Sequence, residues 1–282
     1  MVVLRPRAMG QAKLKDEAPA MQATDTVSDD AQGEAPFERP KALTPKALAV
    51  LAVIAAVINL PLIHYYLLRQ PAEATVALPY RDDFADPKTV QNNYFSIGGH
   101  WRTVDGWLLS PGVKNNPAWL KAKLPADVVV EFDARSTSPE GDIKCEIFGD
   151  GVDHASGYVL IHGGWGNQIS VIARRDEHGV AFPALQQQAR EANANPDDLV
   201  GSGFYKEDTR VRVEANPFPV TIGKTEHWRI ERRGATITWT IDGQPFMQFT
   251  DPLPLKGVGH DRFGFSSWEA QLYFDNLSIQ PL

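Results

Sequence analysis

A single cysteine, Cys145, among 282 residues excludes an intrachain disulfide, so whatever folds must be held by its core alone. Clustered lysine and arginine are lacking too. With a formal net charge of -7 and no basic patch, the chain has no means of binding phosphate backbones by counterion release, which argues against a nucleic-acid partner. Also missing are a Ser-His-Asp arrangement, zinc-ligand spacing and a phosphate loop; the run "GGWGN" (163–167) has neither the lysine nor the helix start that a nucleotide loop needs. No motif demands a cofactor. His100, His154, His162 and His260 are scattered and read as surface residues, and Cys145, between Ile143 and Ile147, reads as a buried strand thiol. It would be a nucleophile only if the fold brought His154 or His162 to it.

What is present falls into three zones. Residues 1–46 are mixed in charge, poor in aromatics and without hydrophobic periodicity, the composition of a disordered tail. Residues 47–68, "ALAVLAVIAAVINLPLIHYYLL", are apolar except for Asn59 and His64. At about 1.5 Å per residue they can cross a hydrocarbon layer of about 30 Å, with Tyr65 and Tyr66 at the far interface and Arg69 closing the span. The polar tail before this run, and the run's length, favour a transmembrane helix over a cleaved signal peptide, although "AEA" at 72–74 resembles a cleavage site. Arg39, Lys41 and Lys46 before the span outnumber Arg69 and Arg81 after it, which predicts a single-pass protein of the cell membrane with a cytoplasmic N-terminus and a periplasmic or extracellular C-terminal domain. Asn59 within the span would favour helix contact with a membrane partner. Residues 69–80 read as a short extended linker.

From residue 81 to 282 the pattern is all-β. Runs at 127–136 and 142–150 flank the turn "TSPEG" and read as a hairpin. In 227–250, Trp228, Ile230, Ile237, Trp239, Ile241 and Phe246 recur at period two around Gly234 and Asp242-Gly243. Residues 261–279 supply two last strands, with Phe263, Phe265, Leu272, Phe274 and Leu277 as core and a bulge near Asp275-Asn276. The stretch 176–208 is an insertion holding the helix-forming run "ALQQQAREA".

Taken together, "DDF" at 82–84, "GGHWRTVDGWLLS", "VVVEFDAR", "GYVLIHGGWGNQISVIAR", "WRIERRGATITWTIDG" and "FDNLSI" resemble the laminin-G/concanavalin-A-like jelly rolls of bacterial surface proteins. They are similar in particular to the 3-keto-disaccharide hydrolase domain family. That resemblance covers 81–282 and implies a jelly-roll β-sandwich that binds or processes carbohydrate, sometimes with calcium. Oxygens for calcium are offered by Asp82, Asp83, Asp150, Asp153, Asp275 and Asn276, without regular loop spacing.

Two site constellations follow. Glu131 and Asp133 share a strand face and Glu146 on the expected neighbouring strand could join them as hydrolytic carboxylates, although the laminarinase-like Glu-x-Asp run stops at Arg135 and Ser136. His162, Trp165 and Asn167 read either as a structural corner, with the glycines permitting the turn and Trp165 plugging the sandwich end, or as the candidate ligand platform, an aromatic face for a sugar's C–H surface with an amide for its hydroxyls. The expected function is a membrane-anchored module that binds a glycan or envelope component without chemistry. A saccharide hydrolase and a protein-binding subunit of an envelope complex are the alternatives.

Overall fold

The computed structural model describes residues 42–65, 70–112, 114–184, 203, 205–215 and 218–282. The expected tail up to residue 41, Tyr66 and Arg69, and all of the helix-forming run in the insertion except Ala184 lie outside them. The chain divides into two compact units, Met1–Ile58 and Asn59–Leu282.

Helix α1, Pro45–Ile63, contains Pro61 and buries none of its residues. It is long and apolar enough to cross a membrane, with a mean hydropathy of 2.3.

Among the described residues, the β unit contains sixteen strands, one short helix and a single helical turn at Gly164–Asn167. In chain order they are β1 (Tyr80–Asp82), α2 (Thr89–Asn93), β2 (Tyr94–Phe95), β3 (Arg102–Val104), β4 (Trp107–Pro111), β5 (Ala118–Leu120), β6 (Val128–Ser136), β7 (Ile143–Gly149), β8 (Tyr158–Gly163) and β9 (Ile169–Arg174). Then come β10 (Val180–Ala181), β11 (Val211–Ala215), β12 (Glu226–Arg233), β13 (Thr236–Ile241), β14 (Gln244–Thr250), β15 (Arg262–Ser266) and β16 (Gln271–Pro281). One sheet runs β14-β13-β12-β6-β16-β4-β3 with β1 also on β16; the other runs β10-β11-β9-β8-β7-β15-β5-β2. Apart from the parallel pair β10-β11, every pairing is antiparallel. Neighbours in the sheets are mostly distant in sequence, as in a jelly roll.

The two sheets pack face to face because each strand alternates. On β6, Val130, Phe132 and Ala134 point into the core, and on β7 Ile143, Cys145 and Ile147 do. Aromatic side chains join the layers, Phe132 meeting Phe265 edge-on at 5.2 Å and Phe265 stacking on Phe274 at 4.2 Å, while within one sheet Trp228 lies 4.4 Å from Trp239. Cys145 is fully buried in this core, and burial pushes its thiol well above the usual range, so it is no nucleophile.

The β12-β13-β14 meander follows the period-two reading, with Asp242 and Gly243 both at positive φ in its second turn. The bulge near Asp275 is also there, as a register shift between Asp275 and Ser278. The expected hairpin is not: β6 pairs with β12 and β16, while β7 pairs with β8 and β15 in the other sheet. Alternation fixes which side chains face inward but not which strand lies alongside, and the 137–142 connection crosses from one sheet to the other. The expected linker is also tied down, since Val76 donates its N–H to Lys121 O and Val76 and Leu78 pack on the core.

Candidate functional site

The site grows from two left-handed turns at one end of β7 and β8. In the first, Gly141 (φ 70°) and Asp142 (φ 52°) lead into β7; in the second, Gly163, Trp165, Gly166 and Asn167 all have positive φ between β8 and β9. The turns interlock, because Asp142 N–H donates to Gly163 O at 2.9 Å, and a Cβ on Gly141 would stand 2.6 Å from Asn167 Oδ1 and 2.8 Å from Gly163 O. Glycine is therefore required at 141 both for its conformation and for the close approach.

Between these turns, the 176–179 turn and the loop joining β15 to β16 lies a cleft of about 390 Å³. Trp165 and Trp268 are its aromatic walls, Lys144 and Ile161 line it from β7 and β8, and Asp142 and Glu177 bring carboxylates to it. Trp268 is 45% exposed, whereas Trp165 is half-buried and rests on the apolar patch of Val159, Ile161, Val171 and Ala173. The cationic heads of Lys114 and Arg212 sit 5.3 Å and 5.2 Å from the ring centres of Trp268 and Trp165, respectively. His178 meets Trp165 edge-on at 5.7 Å.

Beneath the walls runs a chain of buried charges. Lys144 Nζ contacts Asn115 Oδ1 at 3.2 Å, Glu177 Oε2 at 3.1 Å and Asp142 Oδ2 at 3.6 Å. Glu177 Oε2 is also 3.4 Å from His154 Nε2, an ion-pair separation without an aligned hydrogen bond, and His154 Nδ1 is 2.6 Å from Glu146 Oε1. Burial opposes ionisation throughout this chain, yet the partners overcome it at two points. Glu146 and Glu177 hold the His154 imidazolium up to about 9. His154 and Lys144 hold the Glu177 carboxyl down at about 2. At Asp142 burial wins over the Lys144 charge and the Trp268 N–H, and its carboxyl is pushed up to about 6.

The residues singled out from sequence are dispersed. Glu131 and Asp133 do share a face, the outer face of the β6 sheet, where Glu131 pairs with Arg229 at 2.9 Å and Asp133 with His227 at 2.7 Å. Glu146 is fully buried under the outer face of the opposite sheet and accepts the Ala155 N–H. The trio is not assembled, because the strands carrying it lie in different sheets. His162, expected at the surface, is 3% exposed inside the sandwich, bonded through Nδ1 to Glu226 Oε2 at 2.9 Å and packed on Phe246. Asn167 clamps the backbone of Val220, donating to its carbonyl at 2.9 Å and accepting its N–H at 2.7 Å. Of that platform, Trp165 alone lines the cleft.

Of the oxygens offered for calcium, Asp82 accepts from Tyr80 and Thr89, Asp150 accepts from Val152 N and Asp153 N, and Asn276 donates to Asp133. No three His, Cys, Asp or Glu side chains among the described residues converge as an ion site.

No family model matches this chain, and no curated protein does. Solved structures do. The carbohydrate-binding module CBM66 from Bacillus subtilis matches at 14% identity over 67% of this chain and 95% of that one, with a TM-score of 0.47. A Bacillus subtilis protein of unknown function with a galectin-like fold matches at 12% over 75% and 97%, TM-score 0.42. A Bacillus licheniformis β-glucanase matches at 8% over 72% and 98%, TM-score 0.44. At such identities the likeness is one of fold, the concanavalin-A-like jelly roll that the two sheets already display; what each of those proteins binds or cleaves belongs to that protein.

Proposed function

We propose that the sandwich is a glycan-binding module, held by α1 at the outer side of a cytoplasmic membrane, and that the cleft between Trp165 and Trp268 is its binding site. The observation that carries this reading is the pairing of two accessible indole walls with a polar floor fixed by buried ion pairs. Indole faces stack on the C–H surface of a pyranose, and rigid polar groups select its hydroxyls without having to reorganise. The anchoring part rests on the length and apolar character of α1 and on the lysine and arginine bias before it. Thermal unfolding of the full chain in detergent against a saccharide panel tests the site, since a ligand of the folded state raises the midpoint with its occupancy. We expect a rise with at least one oligosaccharide that disappears in Trp268→Ala, whose own unfolding midpoint stays near that of the parent. The absence of any rise across neutral, cationic and anionic saccharides would remove the reading.

One observation favours saccharide hydrolysis as a second reading. Asp142 and Glu177 border one cleft with carboxyls at about 6 and about 2, the divergence expected of a general acid and an anionic partner. Release of reducing sugar by the parent but not by Asp142→Asn would support it. Binding without any product would leave the module a binder.

A further inference from the structure

We propose that the glycan taken by this cleft carries a free amine, an amino sugar whose ammonium group sits on Asp142 beside the two tryptophans. The inference rests on the glycan-binding reading and specifies its ligand.

Charge balance is the first argument. Four carboxylates border the cleft, Glu140, Asp142, Glu177 and Glu269, and the cations nearest them, Lys144, Lys114, His154 and Arg212, already have carboxylate partners, Arg212 in Glu214 outside the lining. The Lys144 ammonium is 1% exposed and already surrounded by Asn115, Glu177 and Asp142, so it has nothing left to offer an anionic sugar. Glu269 is paired with Lys114 at the rim, and Glu177 with Lys144 and His154. Two carboxylates stay short of partners. Glu140 is exposed and has no ion pair among the described residues. Asp142 is only 7% exposed; its Oδ2 accepts the Trp268 N–H at 2.7 Å and lies 3.6 Å from Lys144 Nζ, a cation it shares with Glu177, whereas its Oδ1 accepts no hydrogen bond among the described residues. The side chain is largely buried, yet this oxygen is not sealed from solvent and Asp142 lines the cleft, so an N–H⁺ entering there completes the carboxylate in both hydrogen bonding and charge.

The walls agree with the floor. An indole face attracts an ammonium-bearing ring through its quadrupole as well as stacking on a neutral one. An anionic sugar would meet the carboxylates of Asp142 and Glu140, which repel it.

Protonation supplies a second handle. Facing Asp142 are Lys144 from β7, Glu177 from the 176–179 turn, the Trp268 N–H from the β15–β16 loop and the Gly163-Gly164 backbone. Its carboxyl takes up a proton near pH 6, while the sugar ammonium keeps its charge below that pH, so the amine contact weakens on acidification.

The test is calorimetry on the full chain in nanodiscs with three probes: glucosamine oligomers, N-acetylglucosamine oligomers of the same length, and oligogalacturonate. At about pH 7 the glucosamine oligomer should bind about tenfold or more tighter than its acetylated counterpart, the gain expected of one charge-assisted hydrogen bond, and oligogalacturonate should bind weakest. The gap should narrow at about pH 5, below the point where Asp142 ionises. It should also narrow in Asp142→Asn and in Glu140→Gln, the latter an exposed position where loss of folding is not at issue. Equal or tighter binding of the acetylated oligomer, or a preference for oligogalacturonate, overturns the amine assignment and leaves the binding module standing. If none of the three binds and no other saccharide does, the glycan reading falls with it.

Discussion

The outer faces of the two sheets carry the same kinds of residue and put them to different use. On the β6–β12 face, Glu131, Arg229, Glu231 and Arg233 form a ladder of ion pairs open to water, each cation answered by a carboxylate on the same or the adjacent strand. On the β7–β8 face, Asp142, Lys144, Glu146, His154 and Glu177 lie withdrawn beneath loops, and the pairing ends at Asp142 with one oxygen unanswered. Composition therefore does not distinguish a site from a solvated face. Burial combined with incomplete pairing does.

Breaking the buried network should have the largest effect. Lys144→Met leaves Asp142 and Glu177 without their shared cation, and we expect a loss of roughly 3–5 kcal/mol in denaturant unfolding of the full chain in detergent. The next effect is a pH dependence. His154 is protonated more readily in the folded chain than in the unfolded one, so its contribution is complete below about pH 6.5 and disappears as pH rises through about 9. Unfolding free energy should decline over that interval by up to roughly 3 kcal/mol, and His154→Gln should flatten the decline. Gly141→Ala, which forces a Cβ against Asn167 and Gly163 at a left-handed position, should cost roughly 2 kcal/mol and loosen the cleft. Smallest is Arg229→Ala on the open face, where we expect less than about 1 kcal/mol. If Arg229→Ala proved as costly as Lys144→Met, the contrast between the faces would not hold.

Much of the fold is legible in the sequence where local signals decide it. The meander at β12–β14 follows from period-two apolar residues and the Asp242-Gly243 turn, and the burial of Cys145 from its neighbours Ile143 and Ile147. Strand partnership is not local, which is why β6 and β7 looked like a hairpin and Glu146 seemed able to join Glu131. His162 was readable: it shares the parity of Tyr158 and Leu160, both core residues, so it had to point inward as well. Trp165 stood out as an aromatic within a glycine turn. Trp268 and Asp142 did not stand out, because their contact joins positions 126 residues apart, and Glu177 lies in what reads as an insertion. The outward residues Lys144 and Glu146 alternate correctly on β7, but nothing in alternation reveals that loops will cover them.

The most direct test sets one face against the other. Trp268 borders the cleft, while Trp107 stacks over Arg135, which follows Glu131 and Asp133 along the opposite face. Calorimetric titration of the full chain with the tightest saccharide should show binding abolished in Trp268→Ala and retained in Trp107→Ala. Binding that survives in Trp268→Ala and is lost in Trp107→Ala would place the site on the other sheet and contradict the account.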